Sequence, residues 1–311
     1  MLVVDDQFRK IFIDAERKNE LDGLILEWQE EKQSLEQALA QQAQEVQQEQ
    51  EDVDALERFS VKGMLLGLTG KKEAALKKER LEARDAKVQY EITAEELTAV
   101  SQRLEAALTE QQKLGDCHTR FWEMFPPIYT YYRNNGGYDV QLVTDLELQM
   151  IAAAKHNKEL REALDTGREG RRSIDIVLKT LKEVRASEDD APAPGSAAVR
   201  SQIAAAQQEV MRLRDCLCTF KEELLDLHLP DGMKFDLHEI LQLKDDCLTG
   251  RSSGTNITDA HNRLAILLHP SVEQLEAILP YLEKTLACSD VRLHQAQLSL
   301  AQYVLADMEE K

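Results

Sequence analysis

Aromatic residues make up only 5% of this 311-residue chain, and its 13 glycines and 7 prolines are few for the length. A large globular core needs more aromatic area than that, so long helices and an elongated build fit the composition better. No stretch approaches the run of about 18 apolar residues that a membrane-spanning helix requires. Met1 to Asp6 brings acidic groups at once, with no basic region ahead of an apolar core, so no secretory signal is expected. The five cysteines, Cys117, Cys216, Cys218, Cys247 and Cys288, are odd in number and show neither disulfide-framework nor zinc spacing. Reduced thiols in a cytoplasmic protein are the expectation. Positive charge is scarce as well: 38 Lys and Arg against 57 Asp and Glu leave a formal charge of −19. Nucleic acid is therefore not an expected partner, and contact with an anionic membrane would have to be local.

What the chain does have is heptad periodicity. Apolar residues step by three and four along Leu21, Ile25, Trp28, Leu35, Leu39, Val46, Val53 and Leu56. They do so again along Leu76, Ala83, Ala86, Tyr90, Leu97, Val100, Leu104, Ala107 and Leu114. Folded back at Leu66, the two sets mirror each other, with Leu56 opposite Leu76, Val46 opposite Ala86, Leu35 opposite Leu97 and Trp28 opposite Leu104, so that residue numbers in each pair total 132. Each a position then faces a d position, the pattern of an antiparallel coiled-coil hairpin. A shift of one heptad would preserve the pattern, so the register stays open by that amount. Lys32, Gln42 and Glu49 also fall on the seam, where polar side chains lower stability and specify register.

A second, shorter hairpin follows. Ile203, Ala206, Val210, Leu213, Leu217, Phe220, Leu224 and Leu227 mirror Leu181, Leu178, Ile174, Leu164 and Leu160 about Pro192. Its turn is the acidic, proline-rich stretch 187–196, which cannot continue a helix. In this register Gly167 and Arg171 land opposite Leu217 and Leu213, and a kink is expected around Gly167 to Arg172. The expected fold class is all-α: residues 1–17 dock on the body, 18–114 form the long hairpin with its tip at 61–70, 115–138 form an aromatic connector, 139–229 the second hairpin, and 230–311 a set of shorter helices. Among these last, Pro230-Asp231-Gly232 reads as a turn, Pro270 as a helix start and Pro280 as a kink or stop.

The hairpin tip is the most distinctive local feature. Phe59, Val61, Met64, Leu65, Leu66 and Leu68 crowd between Gly63, Gly67 and Gly70, where a loop is normally polar. Residues 62–87 carry eight basic and four acidic side chains, among them Lys71 and Lys72, a local positive excess in a strongly negative chain. Met64, Leu65, Leu66, Leu68, Lys71 and Lys72 are thus candidate partner-binding residues, for a protein with an apolar, acidic groove or for an anionic membrane surface. Closure of the coiled coil, or tip-to-tip pairing in a homo-oligomer, would account for the leucines equally well. The run Leu66-Gly67-Leu68-Thr69-Gly70-Lys71-Lys72-Glu73, with Lys77-Lys78-Glu79-Arg80, Lys87 and Tyr90-Glu91, resembles the hairpin tip of uncharacterised bacterial coiled-coil proteins over about residues 50–110. That resemblance implies a bacterial cytoplasmic scaffold and no particular activity. A likeness to chromosome-maintenance ATPases fails, because the chain has no G-x-x-x-x-G-K-[ST] phosphate loop.

Phe121, Trp122, Phe125, Tyr129, Tyr131, Tyr132 and Tyr138 place seven of sixteen aromatics within eighteen residues. Pro126-Pro127 and Asn134 to Gly137 are expected to interrupt any helix there. Phe121, Trp122, Phe125, Tyr129, Tyr131 and Tyr132 read as a packing hub or, alternatively, as the lining of a pocket. Catalytic and metal patterns are not evident: Cys117-His118 is adjacent rather than at i, i+4, and His238-Glu239 has no accompanying nucleophile. The expectation is a non-enzymatic scaffold that binds a protein partner and uses no cofactor or metal.

Overall fold

In the computed structural model the described residues are 6–63, 69–135, 138–189, 197–227, 229–230, 233–237 and 257–309. Among them are helices α1 (Asp6–Gly63), α2 (Thr69–Leu114), α3 (Cys117–Asn135), α4 (Val140–Asp189), α5 (Ala197–Asp226) and α6 (Ile257–Glu309), and no strand. The protein is all-α, and none of these helices is long and apolar enough to cross a membrane. The chain divides into two units, Met1–Gly137 with Ala301–Lys311, and Tyr138–Leu300.

In the first unit, α1 and α2 pair through the heptad seam. Arg17 donates to Glu110 at 2.8 Å near one end, and Arg80 pairs with Glu57 at 2.7 Å near the other. Between them along α1, Gln111 donates to Asp22 at 2.6 Å, and Arg103 lies 3.8 Å from Glu31 and 5.7 Å over the Trp28 ring. The residue numbers of these pairs total 127 to 137, on both sides of the expected 132, so the helices run antiparallel in that register. Leu21, Ile25, Val53, Val100, Leu104 and Ala107 are buried, whereas Leu35, Leu39 and Val46 are only half-buried. Two helices alone cover one face of each other, and a seam with no third layer keeps part of its area in water. Lys32, Gln42 and Glu49 share this half-buried stripe. On α2, half-buried Glu79 and Gln111 and buried Thr93 complete the three-four stepping where it lacks apolar residues.

The end of α2 is set by Gly115, whose φ of 57° is the left-handed conformation that closes a helix. The Lys18 ammonium donates to the Gly115 carbonyl and ties this turn to α1. The expected break within 115–138 does not occur at the prolines, since α3 runs without interruption through Pro126 and Pro127. Phe121, Phe125, Ile128 and Tyr132 form its buried stripe, while both prolines face solvent. There the carbonyls that lose their helical partners, on Trp122 and Glu123, remain within reach of water. The same solution serves α6, a single helix where shorter ones were expected: Pro270 and Pro280 lie inside it, both exposed.

In the second unit, α4 is also unbroken where a kink was expected. The register with α5 differs from the expected mirror by about one turn. Gly167 lies under Phe220 rather than Leu217, and Gly170 lies under Leu217. A Cβ on Gly167 would sit 2.6 Å from Phe220 Cε2 and 2.8 Å from Leu279 Cδ2, and one on Gly170 would sit 2.8 Å from Leu217 Cδ2. Phe220 and Leu217 are fully buried, so the two glycines make room for them. The slide also brings Ala163 and Val177 into the core and releases Arg171 to the edge, where it pairs with Asp175 and, at 3.5 Å, with Glu276 of α6. Further α4–α6 links are Arg161 and Asn157 on Asp290, at 2.7 and 2.6 Å, and Arg168 on Glu283 at 2.8 Å.

Candidate functional site

Of the candidate tip residues, Met64, Leu65, Leu66 and Leu68 lie outside the described residues, as do the side chains of Lys71 and Lys72 in the first turn of α2. The described flanks qualify the cationic character read from sequence. Lys78 pairs with Glu82 at 2.9 Å, Arg80 with Glu57 at 2.7 Å and Lys87 with Glu91 at 3.8 Å. The hydrogen bond to Glu82 raises the Lys78 pKa above its ordinary value. Each pair is exposed and contributes little stability; Arg80 and Lys87 pair with acids outside residues 62–87 and so reduce the local positive excess, whereas Lys78 pairs with an acid of the same segment. One turn further from the tip, the carboxylates of Glu49, Glu79 and Glu82 lie within 4.8 Å of one another across the seam. Like charges at that spacing repel, and the Lys78 ammonium on Glu82 offsets part of that repulsion.

The six aromatic candidates are all on α3, and the structure brings them against the start of α1. Phe121 stands 5.8 Å from both Phe8 and Phe12, 5.6 Å from Phe125 and 6.2 Å from Trp122. Phe125 is stacked on Trp122 and Tyr129 at 5.8 and 5.6 Å. Phe8, Phe121, Phe125 and Tyr132 are buried, so rings fill this space and the hub reading is the one the packing supports. Tyr131 is half-buried at the margin. Tyr132 meets Tyr303 of α6 edge-on at 6.5 Å, so the last turns of α6 pack on the hub. Burial, followed by the nearby Asp307 carboxylate and Tyr303, raises the Tyr132 pKa far above the ordinary tyrosine value.

Sequence reasoning set Cys117-His118 aside for its spacing, and the structure gives both residues structural partners. His118 Nε2 lies 3.7 Å from Asp22 Oδ2, with only 11% of the His118 side chain exposed. Burial pushes the Asp22 carboxyl up. The hydrogen bond from Gln111, with His118 and Lys18 close by, outweighs it and holds the group below its ordinary value. The Cys117 thiol donates to the Asp14 carbonyl at 3.4 Å, and burial raises its pKa. Cys216 is raised the same way, with its thiol on the Thr166 carbonyl at 3.7 Å. Both are unreactive, thiol-form cysteines.

A further concavity that sequence reasoning reached only through its Pro-Asp-Gly turn lies in the second unit, lined by Lys221, Leu224, Leu225, Leu229, Pro230, Met233, Lys234, Phe235 and Asp236. Comparison with family models, with curated proteins and with solved structures returned no match.

Proposed function

We propose that this protein is a non-enzymatic scaffold of the cytoplasm that docks a protein partner through the apolar, lysine-flanked segment Met64 to Lys72. The observation that carries the reading is the antiparallel pairing of α1 and α2, from Arg17–Glu110 to Arg80–Glu57. Some 40 residues of α1 separate those pairs, or about 60 Å at 1.5 Å per residue. A stiff arm of that length holds a binding segment away from its base, and a scaffold needs that more than an enzyme does. The resemblance of the tip to bacterial coiled-coil proteins points the same way. Intramolecular pairing of Lys78, Arg80 and Lys87 favours a protein surface over an anionic bilayer, which rewards cations free to reach headgroups.

The test compares affinity capture by wild type and by the Leu65→Ser/Leu66→Ser variant, alongside flotation with phosphatidylserine vesicles. The reading expects partners that are lost by the variant and no co-flotation of either protein. An unchanged partner set removes the tip reading, and salt-sensitive flotation of the wild type alone would replace it with a membrane role.

A further inference from the structure

We infer that the concavity at the end of α5 is a docking groove for an apolar peptide segment carrying acidic residues, separate from the hairpin tip. Its floor is built by sequence-distant contacts. Phe235 packs edge-on against Phe220 at 5.0 Å, the Met233 N–H closes a turn onto the Pro230 carbonyl at 3.1 Å, and the Asp236 N–H donates to the Gln274 side chain of α6 at 3.0 Å. These contacts seat residues 229–230 and 233–237 against α5 and α6 and leave about 480 Å³ beside the end of α5, within the range of ligand pockets. Leu224 and Phe235 are 7% and 6% exposed and form the base, with Leu229 and Met233 beside them. Leu225 stands at the margin with 71% of its surface in water. An unbranched, adaptable methionine at such a surface suits varied apolar side chains.

Charge selects the occupant. Lys221 and Lys234 stand at the rim, and neither has a carboxylate partner among the described residues, although the Asp236 carboxylate lines the same groove. Two ammonium groups without a carboxylate partner among the described residues, over a leucine-lined floor, complement carboxylates that flank large apolar side chains. The concavity is only partly enclosed, which suits an extended or helical peptide more than an enclosed small molecule.

The test pans a random dodecapeptide display library on three full-length proteins: wild type, Leu225→Asp and Lys221→Glu/Lys234→Glu. Leu225 and the lysines are not core residues, so circular dichroism is expected to be unchanged. Wild type is expected to enrich peptides with leucine-type residues beside Asp or Glu. The best of these, synthesised with a fluorophore, is expected to bind Leu225→Asp at least about tenfold more weakly, since the substitution puts a carboxylate at the apolar margin facing the peptide's own acids. The double charge reversal is expected to switch enrichment from acidic to basic peptides. Failure of wild type to enrich such peptides overturns the inference, as does enrichment that all three proteins share.

Discussion

Gly167 and Gly170 show how one atom decides a helix pair. By helix propensity alone, alanine at either position gains about 1 kcal/mol. A Cβ at Gly167 would sit 2.6 Å from a fully buried Phe220 ring, however, and that overpacking is worth about 1 to 3 kcal/mol in the opposite direction. Gly167→Ala is therefore expected to lower the urea unfolding midpoint, and a rise would show that the ring moves freely. Asp22 supplies a pH dependence at the same scale. Its folded pKa lies below the ordinary 3.8, so its contribution is fully present above that value and is lost as pH falls through the lower, folded one. Asp22→Asn should destabilise at neutral pH, and its stability deficit relative to wild type should shrink as pH falls below the ordinary 3.8 and through the lower, folded pKa. A deficit that stays constant on acidification would contradict the assignment. In the sequence Gly167 stands out only as an expected kink, and Asp22 not at all. Glycine in a helix reads as weakness until its neighbour is known, and Asp22 meets His118 only through folding.

The helices themselves were largely legible, because a three-four apolar step sustained over many turns is what a long helix buried along one side requires. What the apolar filter misses is the polar part of a seam, here Glu79, Thr93 and Gln111, which occupy heptad positions without looking hydrophobic. Glu49 tests that account. Replacing it with leucine puts an apolar residue on the seam and removes one of three carboxylates lying within 4.8 Å. Glu49→Leu should raise arm stability by about 1 kcal/mol and slow amide exchange around residues 45–53. Faster exchange there would mean the position is not on the seam. The α4–α5 register went astray by one turn for a related reason: apolar residues at 160, 164, 174, 178 and 181 fit two alignments, and the choice falls to the small residues Ala163, Gly167 and Gly170. Val177→Cys with Val210→Cys should therefore oxidise readily to a disulfide, while Ile174→Cys with Val210→Cys should not. Reversed yields would restore the mirror about Pro192. Prolines misled for lack of one fact, the face they occupy. All four in α3 and α6 point to water, where a missing hydrogen bond is replaced by solvent.

At the scale of the molecule, the fold class and the pairing of α1 with α2 could be read in advance, whereas the aromatic hub's partners and the groove at the end of α5 could not. Phe8 and Phe12 against Phe121, Tyr132 against Tyr303, and Phe220 against Phe235 join residues with no common period. The functional proposal inherits its strength from the arm, since the segment Met64 to Lys72 can act at a distance only if α1 and α2 lie side by side. Pulsed electron–electron spin resonance in a cysteine-free background measures this directly, with labels at exposed Gln33 and either Gln102 or Lys77. Antiparallel pairing places 33 across from 102, one interhelix spacing of about 10 Å plus the label arms. It places 77 about 37 Å farther along the axis at 1.5 Å per residue. A short, narrow 33–102 distance with a long 33–77 distance is the result expected. Equal or broad distances, or a shorter 33–77 distance, would contradict the arm and the function proposed for its tip.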